Sequence, residues 1–440
     1  MAVKSCFRKK RIRRRNKIRC KTYRRRKEAI EEEDKEKQEK AEEQLQREEA
    51  KENMSKIQYN IQQLKNKSSG KSNNIWHIRK KFFPKIKSAI PIAKKNLANQ
   101  IITNPTELKK VYVKHFQHCM RNRPILPQYK SYEKEIKQSF SSILNLTKAN
   151  KYPDWTIDDL NKAIKSLKSS QSQDTMGVVN ELFMIQNIGS DLKLSILQIF
   201  NIIKNTNHIP EFFKHVYVTA IPKKRKAALN LTSERGIFLS PKLRSLFMKL
   251  VYNSIIDTIE DNLSLSNIGA RRGKSPRDHL YVLYSVMDEV LRGKDVGCID
   301  LVYYDLAQAY DSLWVEHTLL DLFHTNVDTN LLNVMNELSK NTKISIKTPV
   351  GITEEREIEE TIMQGESVSS ILCTTSVDKL ADENPVDKYR YMKSVEVPTL
   401  GFVDDLLDIK KCGEEAKESN DYLVEEVNKR RLQFSSDKCV

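Results

Sequence analysis

The amino-acid sequence predicts an α+β fold, in which amphipathic helices alternate with short strands that build a small sheet. The helical part of this prediction rests on apolar residues spaced three and four apart, as in residues 156–168. The strand part rests on apolar runs of strand length. Alternation of the two patterns along one chain is typical of an α+β domain. The predicted strands cover residues 216–222, 298–305, 343–348 and 399–409.

Two helix starts are marked by capping signals. Thr156, followed three residues later by Asp159, opens the helix predicted for residues 156–168. Ser275 and Asp278 form a second capping box, with proline at the first helical position. We expect the apolar face of each helix to pack in the core. In the second helix this face consists of Leu280, Leu283, Met287 and Leu291.

The net charge of +18 is concentrated at the amino terminus. Residues 1–27 contain fifteen Lys or Arg and no Asp or Glu, and taking these fifteen from the 76 Lys and Arg leaves 61, against 58 acidic residues. This segment is predicted to be a disordered basic arm that binds nucleic acid or directs nuclear import. A translated extension without a role is the alternative. The basic residues expected to contact nucleic acid are Arg8, Lys9, Lys10, Arg11, Arg13, Arg14, Arg15, Arg24, Arg25, Arg26 and Lys27.

The rest of the chain divides into four predicted segments. Residues 28–67 are rich in Glu, Lys and Gln and predict a long charged helix exposed to solvent. Its apolar stripe is too short to establish a coiled coil. Residues 68–75 form a flexible linker, residues 76–150 a helical connector, and residues 151–440 the main domain.

Composition excludes several classes of protein. The chain contains no apolar stretch long enough to span a membrane and no signal-peptide core, so we expect no membrane partner. The seven cysteines are odd in number and scattered, which indicates neither a disulfide framework nor a zinc site. These features predict an intracellular protein, nuclear or cytoplasmic and not secreted. The oligomeric state is left open.

Carboxylates lie in unusual places in two apolar runs. Asp404 and Asp405 sit between aliphatic flanks in residues 399–409, and Asp305 ends the run that begins at residue 298. Burial of ionised carboxylates is costly unless they are paired or bind a metal. The flanks of the Asp pair predict a hairpin with both aspartates at its turn, although an ordinary Asp-Asp turn has the same pattern. Carboxylate oxygens are hard ligands that suit divalent cations.

An ordered series of motifs resembles the reverse transcriptase domain of non-LTR (LINE-like) retrotransposons. Asp305 through Tyr310 and Asp311 matches the D-x-x-x-A-F/Y-D strand of that family, and Phe402 through Asp405 matches its Y/F-x-D-D box. Gln364 and Gly365 match the Q-G segment between them. Lys223 and Arg235 match the two basic positions upstream. Departures, such as Gln308 where lysine is usual, remove none of the carboxylates.

The resemblance implies a right-hand polymerase with fingers and palm, its antiparallel palm sheet packed on helices, that ends before the thumb. It implies that Asp305, Asp404 and Asp405 are catalytic and bind two Mg²⁺ ions, with Mn²⁺ as an alternative. It assigns nucleotide contacts to Lys223, Arg235, Tyr310, Gln364 and Gly365. The neighbouring carboxylates Asp300, Asp311 and Asp408 are interpreted as surface or capping residues.

The implied activity is RNA-directed DNA synthesis by two-metal nucleotidyl transfer. Its partners would be an RNA template, a DNA primer and deoxynucleoside triphosphates. The alternatives are a catalytically silent nucleic-acid-binding protein that depends on residues 1–27, and a pseudogene product without function.

Overall fold

The computed structural model describes most of a compact unit that spans residues 90–440. The described residues are 93–95, 100–120, 123–146, 152–169, 172–185, 190–223, 229–293, 298–359, 362–411, 413–435 and 439. The predicted basic arm, charged helix and linker lie outside this part of the chain. Helices from the predicted connector, residues 76–150, belong to the same compact unit as the main domain.

Thirteen helices are present in the described part of the chain. They are α1 (Pro105–Cys119), α2 (Lys130–Leu146), α3 (Ile157–Lys165), α4 (Glu181–Met184), α5 (Ser190–Thr206), α6 (Glu211–Lys214), α7 (Lys242–Asn262), α8 (Pro276–Arg292), α9 (Ala309–Ser312), α10 (Val315–Phe323), α11 (Thr329–Ser339), α12 (Ser369–Asp382) and α13 (Glu414–Lys429). Within the same residues, none of these helices has both the length and the apolar character needed to cross a lipid bilayer.

Both predicted capping boxes are confirmed. The backbone N–H of Thr156 donates to Asp159 Oδ2 at 2.9 Å, and the Asp159 N–H donates back to Thr156 Oγ1 at 3.3 Å. At the start of α8, the Ser275 N–H donates to Asp278 Oδ2 at 2.8 Å. These bonds satisfy amide groups that have no partner inside a helix, and so they fix where α3 and α8 begin.

The described strands form four sheets. They are β1 (Lys94–Lys95), β2 (Ile101–Ile102), β3 (His215–Pro222), β4 (Glu234–Leu239), β5 (Ile299–Asp305), β6 (Lys343–Thr348), β7 (Gly351–Ile352), β8 (Arg356–Glu357), β9 (Tyr389–Tyr391), β10 (Val395–Val397), β11 (Leu400–Phe402) and β12 (Asp405–Lys411). All four strand predictions are confirmed, and the last of them is a hairpin of β11 and β12.

Two of these sheets matter for the site. The three-stranded sheet has the order β11-β12-β5 and is antiparallel throughout. The five-stranded sheet has the order β4-β3-β6-β7, with β8 also paired to β6. Its β3–β6 pair is parallel, and its other pairs are antiparallel. The α+β class is therefore confirmed.

The core consists of one large and two smaller apolar clusters. The large cluster joins α2, α3, α5, α7 and α10 to α13, and reaches the three-stranded sheet at Tyr304 and Leu406. A second cluster packs α1 against β3 and β6. A third packs α8 against the opposite face of the three-stranded sheet, at Leu407 and Ile409. The three-stranded sheet is thus covered on both faces.

The predicted packing of α8 is wrong in part. Leu283 packs against the third cluster, but Leu280, Met287 and Leu291 are exposed, the last by 82 %. The helix turns its other side, centred on Val286, toward the sheet. Apolar spacing identified the helix correctly, but it did not identify the side that faces the core.

The cysteines also depart from expectation. Cys298, directly before β5, is disulfide-bonded. Cys119, Cys373 and Cys439 are free thiols. The scattered cysteines indicate no disulfide framework, and the bond at Cys298 was not predicted from the sequence.

Candidate active site

The register of β5 and β12 brings the predicted carboxylates together. Asp305 and Asp405 are directly opposed in the antiparallel pair, so their side chains leave the same face of the sheet. Phe402 and Asp405 are also opposed, in the β11–β12 pair. Only Val403 and Asp404 lie between them, which makes a two-residue turn. The prediction of both aspartates in the turn is therefore wrong for Asp405, which begins β12. Asp404 therefore sits at the tip of the hairpin, adjacent to the Asp305–Asp405 pair.

The face that carries the carboxylates is open at one end and covered at the other. Alternation along β12 places Asp405, Leu407 and Ile409 on one side of the sheet. Leu407 and Ile409 are buried beneath α8, whereas Asp405 is exposed. Asp305 and Asp404 are half-buried. The apolar end anchors the sheet, and the carboxylate end faces solvent.

The turn that carries Asp404 is strained. Val403 has φ +63°, which is a rare conformation for a β-branched residue. Residues held in such conformations cost about 1–3 kcal/mol each and persist only where their surroundings enforce them. The position of Asp404 consequently depends on the contacts that hold Val403 in this conformation.

Tyr310 borders the carboxylates. It lies on the short helix α9, which follows β5 after Gln308, itself left-handed at φ +54°. The Tyr310 hydroxyl donates to Ser370 Oγ at 3.5 Å. Burial raises the pKa of Tyr310, and the charge of nearby Asp404 contributes in the same direction. The same carboxylate adds to the effect of burial in raising the pKa of Cys373 on α12.

Lys223 and Arg235 lie on the hairpin of β3 and β4. Arg235 is opposed to Ile221, and the Lys223 N–H donates to the Ser233 carbonyl at 2.7 Å. Since directly opposed residues and residues two apart share a face, both basic side chains leave the same face of this sheet. Lys223 is half-buried and Arg235 is exposed.

Gln364 and Gly365 run beside β4. The Phe238 N–H donates to the Gln364 carbonyl at 3.1 Å. Gly365 has φ +116°, and a Cβ there would lie 3.2 Å from the Phe238 carbonyl oxygen. The backbone conformation at this position favours glycine, and a Cβ would also crowd the Phe238 carbonyl oxygen. The next residue, Glu366, accepts from Arg244 Nε at 2.5 Å, which fixes the segment against α7.

Asp311 was misassigned from the sequence. It is half-buried rather than exposed, and its Oδ1 atom is buried without a hydrogen-bond partner among the described residues. Burial raises its pKa to about 7, against the opposing effect of Lys223. Asp311 therefore links the two groups of residues, because it follows Tyr310 in the chain and lies near Lys223. No sequence pattern separates a buried aspartate of this kind from one that caps a helix.

Asp408 was also misassigned as a surface or capping residue. It is 2 % exposed and accepts hydrogen bonds from the Thr399 hydroxyl at 2.9 Å and the Ser419 hydroxyl at 2.5 Å. These bonds tie β12 to the start of β11 and to α13. The third neighbouring carboxylate, Asp300, accepts from the Gly413 N–H at 3.1 Å on an exposed edge, which agrees with a capping role.

The segment after α13 pairs with the end of β5. The Ser435 N–H donates to the Asp305 carbonyl at 2.8 Å, and the Ala307 N–H donates to the Gln433 carbonyl at 2.8 Å. The Phe434 ring packs on Tyr304 with centroids 4.8 Å apart. The backbone of Asp305 is therefore supported from β12 on one side and from this segment on the other.

The carboxylate cluster differs from a metal site built only from protein ligands. Among the described residues, no group of three or more His, Cys, Asp or Glu side chains is arranged to hold a metal ion. Magnesium sites in enzymes of nucleotide chemistry commonly use one or two carboxylates together with substrate phosphates. The oxygen donors on adjacent strands fit that kind of ion.

The structure thus brings Asp305, Asp404, Asp405 and Tyr310 together at the three-stranded sheet. It places Lys223, Arg235, Gln364 and Gly365 at or beside β3 and β4. The predicted nucleic-acid contacts in residues 1–27 lie outside the described residues. No protein-family model matches the chain, and no curated protein matches it with significance.

Proposed function

We propose that residues 151–440 are the fingers and palm of an RNA-directed DNA polymerase like those of non-LTR retrotransposons. The observation that carries the proposal is the register that opposes Asp305 to Asp405, with Asp404 in the adjoining two-residue turn. Two adjacent antiparallel strands that present carboxylates at one open end are suited to nucleotidyl transfer. The four sequence motifs in family order support the same assignment.

Asp305, Asp404 and Asp405 would hold two Mg²⁺ ions, with Mn²⁺ as a substitute. Bound there, the ions would supply activation of the primer 3′-oxygen and charge stabilisation of the leaving pyrophosphate. The contribution of the protein is the fixed placement of the oxygen donors. The Asp305 backbone, bonded on both sides, and the two-residue turn at Asp404 provide that placement.

The basic hairpin would receive the triphosphate. Lys223 and Arg235 leave one face of the β3–β4 pair, and a guanidinium can bind phosphate oxygens through two parallel hydrogen bonds. Tyr310, beside Asp404, would lie under the sugar of the incoming nucleotide. Gln364 and Gly365 would line the floor of the cleft next to β4. The RNA template and DNA primer are the corresponding macromolecular partners.

Primer extension tests the proposal. The wild-type chain is given an RNA template, an annealed DNA primer, deoxynucleoside triphosphates and Mg²⁺ or Mn²⁺. We expect extension by the wild type and loss of extension in Asp305→Asn and Asp404→Asn, because each removes a metal ligand. Asp300→Asn is the matched control, since it changes the same residue type on β5 at the end remote from the turn.

Other outcomes would contradict the proposal. Extension by either ligand variant at the wild-type rate would refute the metal assignment. A wild-type chain that binds RNA in a salt-dependent manner but never extends a primer would support the alternative of a catalytically silent nucleic-acid-binding protein.

A further inference from the structure

Asn267 contacts the strained turn in a specific way. The Val403 N–H donates to Asn267 Oδ1 at 3.0 Å, and Asn267 Nδ2 donates to the Val403 carbonyl at 2.9 Å. One side chain therefore satisfies both backbone polar groups of the residue with positive φ. Asn267 is 0 % exposed, and loss of its side chain would leave the N–H and carbonyl of Val403 without these bonds.

Asn267 is itself held rigidly. Its N–H donates to Asp378 Oδ1 at 3.0 Å, and the same carboxylate accepts from the Ser264 hydroxyl at 2.7 Å. The flanking backbone pairs with β11, where the Ile268 N–H donates to the Gly401 carbonyl at 3.0 Å. The Asn267 carboxamide is consequently fixed relative to the hairpin whose turn it contacts.

Gly269 allows this segment to approach the turn. A Cβ on Gly269 would lie 2.2 Å from the Val403 backbone nitrogen and 2.6 Å from its Cγ2 atom. Any side chain there would push the segment away from Val403. The Gly269 N–H also donates to Asn267 Oδ1 at 3.0 Å, which orients the carboxamide.

We propose that Asn267 is a positioning residue for the carboxylates, which acts by holding Val403 in its left-handed conformation and thereby fixing Asp404. It does not touch the reactants. The metal-binding role of the carboxylates rests on the proposed function. The contact of Asn267 with the turn stands independently of that role.

The structure contains a matched control. Asn201 on α5 makes the same pair of bonds to a residue remote from the carboxylates, because it accepts from the Trp155 N–H at 2.9 Å and donates to the Trp155 carbonyl at 3.0 Å. Trp155 is not among the residues with positive φ. Asn201→Ala therefore removes the same chemistry without releasing a strained turn.

The experiment compares Asn267→Ala with Asn201→Ala in the full chain. Mn²⁺ binding is measured by calorimetry without nucleotide, and hydrogen exchange is measured in a peptide that covers residues 400–408. We expect Asn267→Ala to weaken Mn²⁺ binding at least tenfold and to speed exchange of the peptide. Asn201→Ala should change neither by more than twofold. Unchanged Mn²⁺ affinity in Asn267→Ala, or an equal loss in Asn201→Ala, would overturn the proposal.

Val403→Gly adds a second line of evidence, because glycine adopts positive φ without strain. When Val403→Gly is added to Asn267→Ala, the double variant should bind Mn²⁺ at least threefold more tightly than Asn267→Ala alone. If Asn267→Ala does not fold, the double variant should fold, and its failure would overturn a role specific to the turn. A wild-type chain that neither binds Mn²⁺ alone nor extends a primer would refute the proposed function. The exchange data would then still decide whether Asn267 holds the turn.

Discussion

Two hairpins carry the charged residues of the candidate site, and they are built differently. In the hairpin of β11 and β12, short aspartate side chains sit at a strained two-residue turn held by a buried carboxamide. In the hairpin of β3 and β4, the charges are at the ends of long lysine and arginine side chains, half-buried or exposed. The position of the charged group on a short side chain is fixed by the position of its backbone. A long side chain can move its charged group by rotating about its bonds. Accurate backbone placement is therefore needed only in the first hairpin.

The largest difference between the two regions is whether their buried carboxylates are hydrogen-bonded. Asp311, near Lys223, has a raised pKa of about 7 and a buried oxygen that lacks a hydrogen-bond partner within the described part of the chain. We expect Asp311→Asn to stabilise the protein at pH 8, by at most about 4 kcal/mol for a shift of about 3 pKa units. In the wild type the folded state binds the proton of the Asp311 carboxyl more tightly than the unfolded state does. The contribution of this proton binding to stability is therefore complete below about pH 4 and is lost by about pH 7.

The pH dependence distinguishes this effect from a general change in packing. The stabilisation by Asp311→Asn should be absent near pH 4, should grow up to about pH 7 and should be constant above it. Urea unfolding at several pH values measures it. A gain that did not vary with pH would contradict the raised pKa.

The second prediction compares conservative changes in the two hairpins. Asp305→Glu keeps the charge but moves it by one methylene, and it should lower kcat of primer extension about a hundredfold, or about 3 kcal/mol. Lys223→Arg moves its charge by a similar distance and should lower kcat less than fivefold. Single-turnover extension measures both. Equal losses would show that the two hairpins demand the same accuracy.

The third prediction concerns the buried carboxylate of the first hairpin. Asp408→Ala leaves the hydroxyls of Thr399 and Ser419 buried without their acceptor. We expect the free energy of unfolding to fall by about 2 kcal/mol, opposite in sign to the effect of Asp311→Asn at pH 8. Asp300→Ala loses one hydrogen bond at an exposed edge of the same sheet and should lower it by less than about 1 kcal/mol. Urea unfolding at pH 7 measures both variants. An unchanged free energy of unfolding in Asp408→Ala would mean that the hydrogen bonds of Asp408 do not stabilise the hairpin.

The smallest expected effect is at Tyr310, which lies between the two regions. Tyr310→Val removes the ring beside Asp404 and should raise incorporation of ribonucleotides relative to deoxyribonucleotides about fivefold, or about 1 kcal/mol. Tyr310→Phe keeps the ring and should leave the ratio unchanged. Competition between the two nucleotide types measures the ratio, and an unaltered ratio in Tyr310→Val would remove the sugar-selecting role.

The sequence predicts the strands and the turn of this site better than the buried residues that hold them in place. Strand ends at Asp305 and a hairpin at Asp404 follow from apolar runs interrupted by carboxylates, which is a local signal. Asn267 left no such signal, because its partner Val403 is 136 residues away in the chain. The sequence predicts a surface or capping role for Asp311 and Asp408, because aspartates usually lie at the surface. Their burial depends on tertiary contacts that no local pattern encodes.

The pairing of residues 433–435 with the end of β5 has a consequence for the order of folding. The Asp305 carbonyl receives its hydrogen bond from Ser435, and its opposed strand begins at Asp405. Contacts between residues so distant in sequence require large loops to close, and they form slowly for that reason. During synthesis, helices such as α3 and α7 can form well before these partners are made. We therefore expect the carboxylate cluster to be among the last parts of the chain to acquire its native structure.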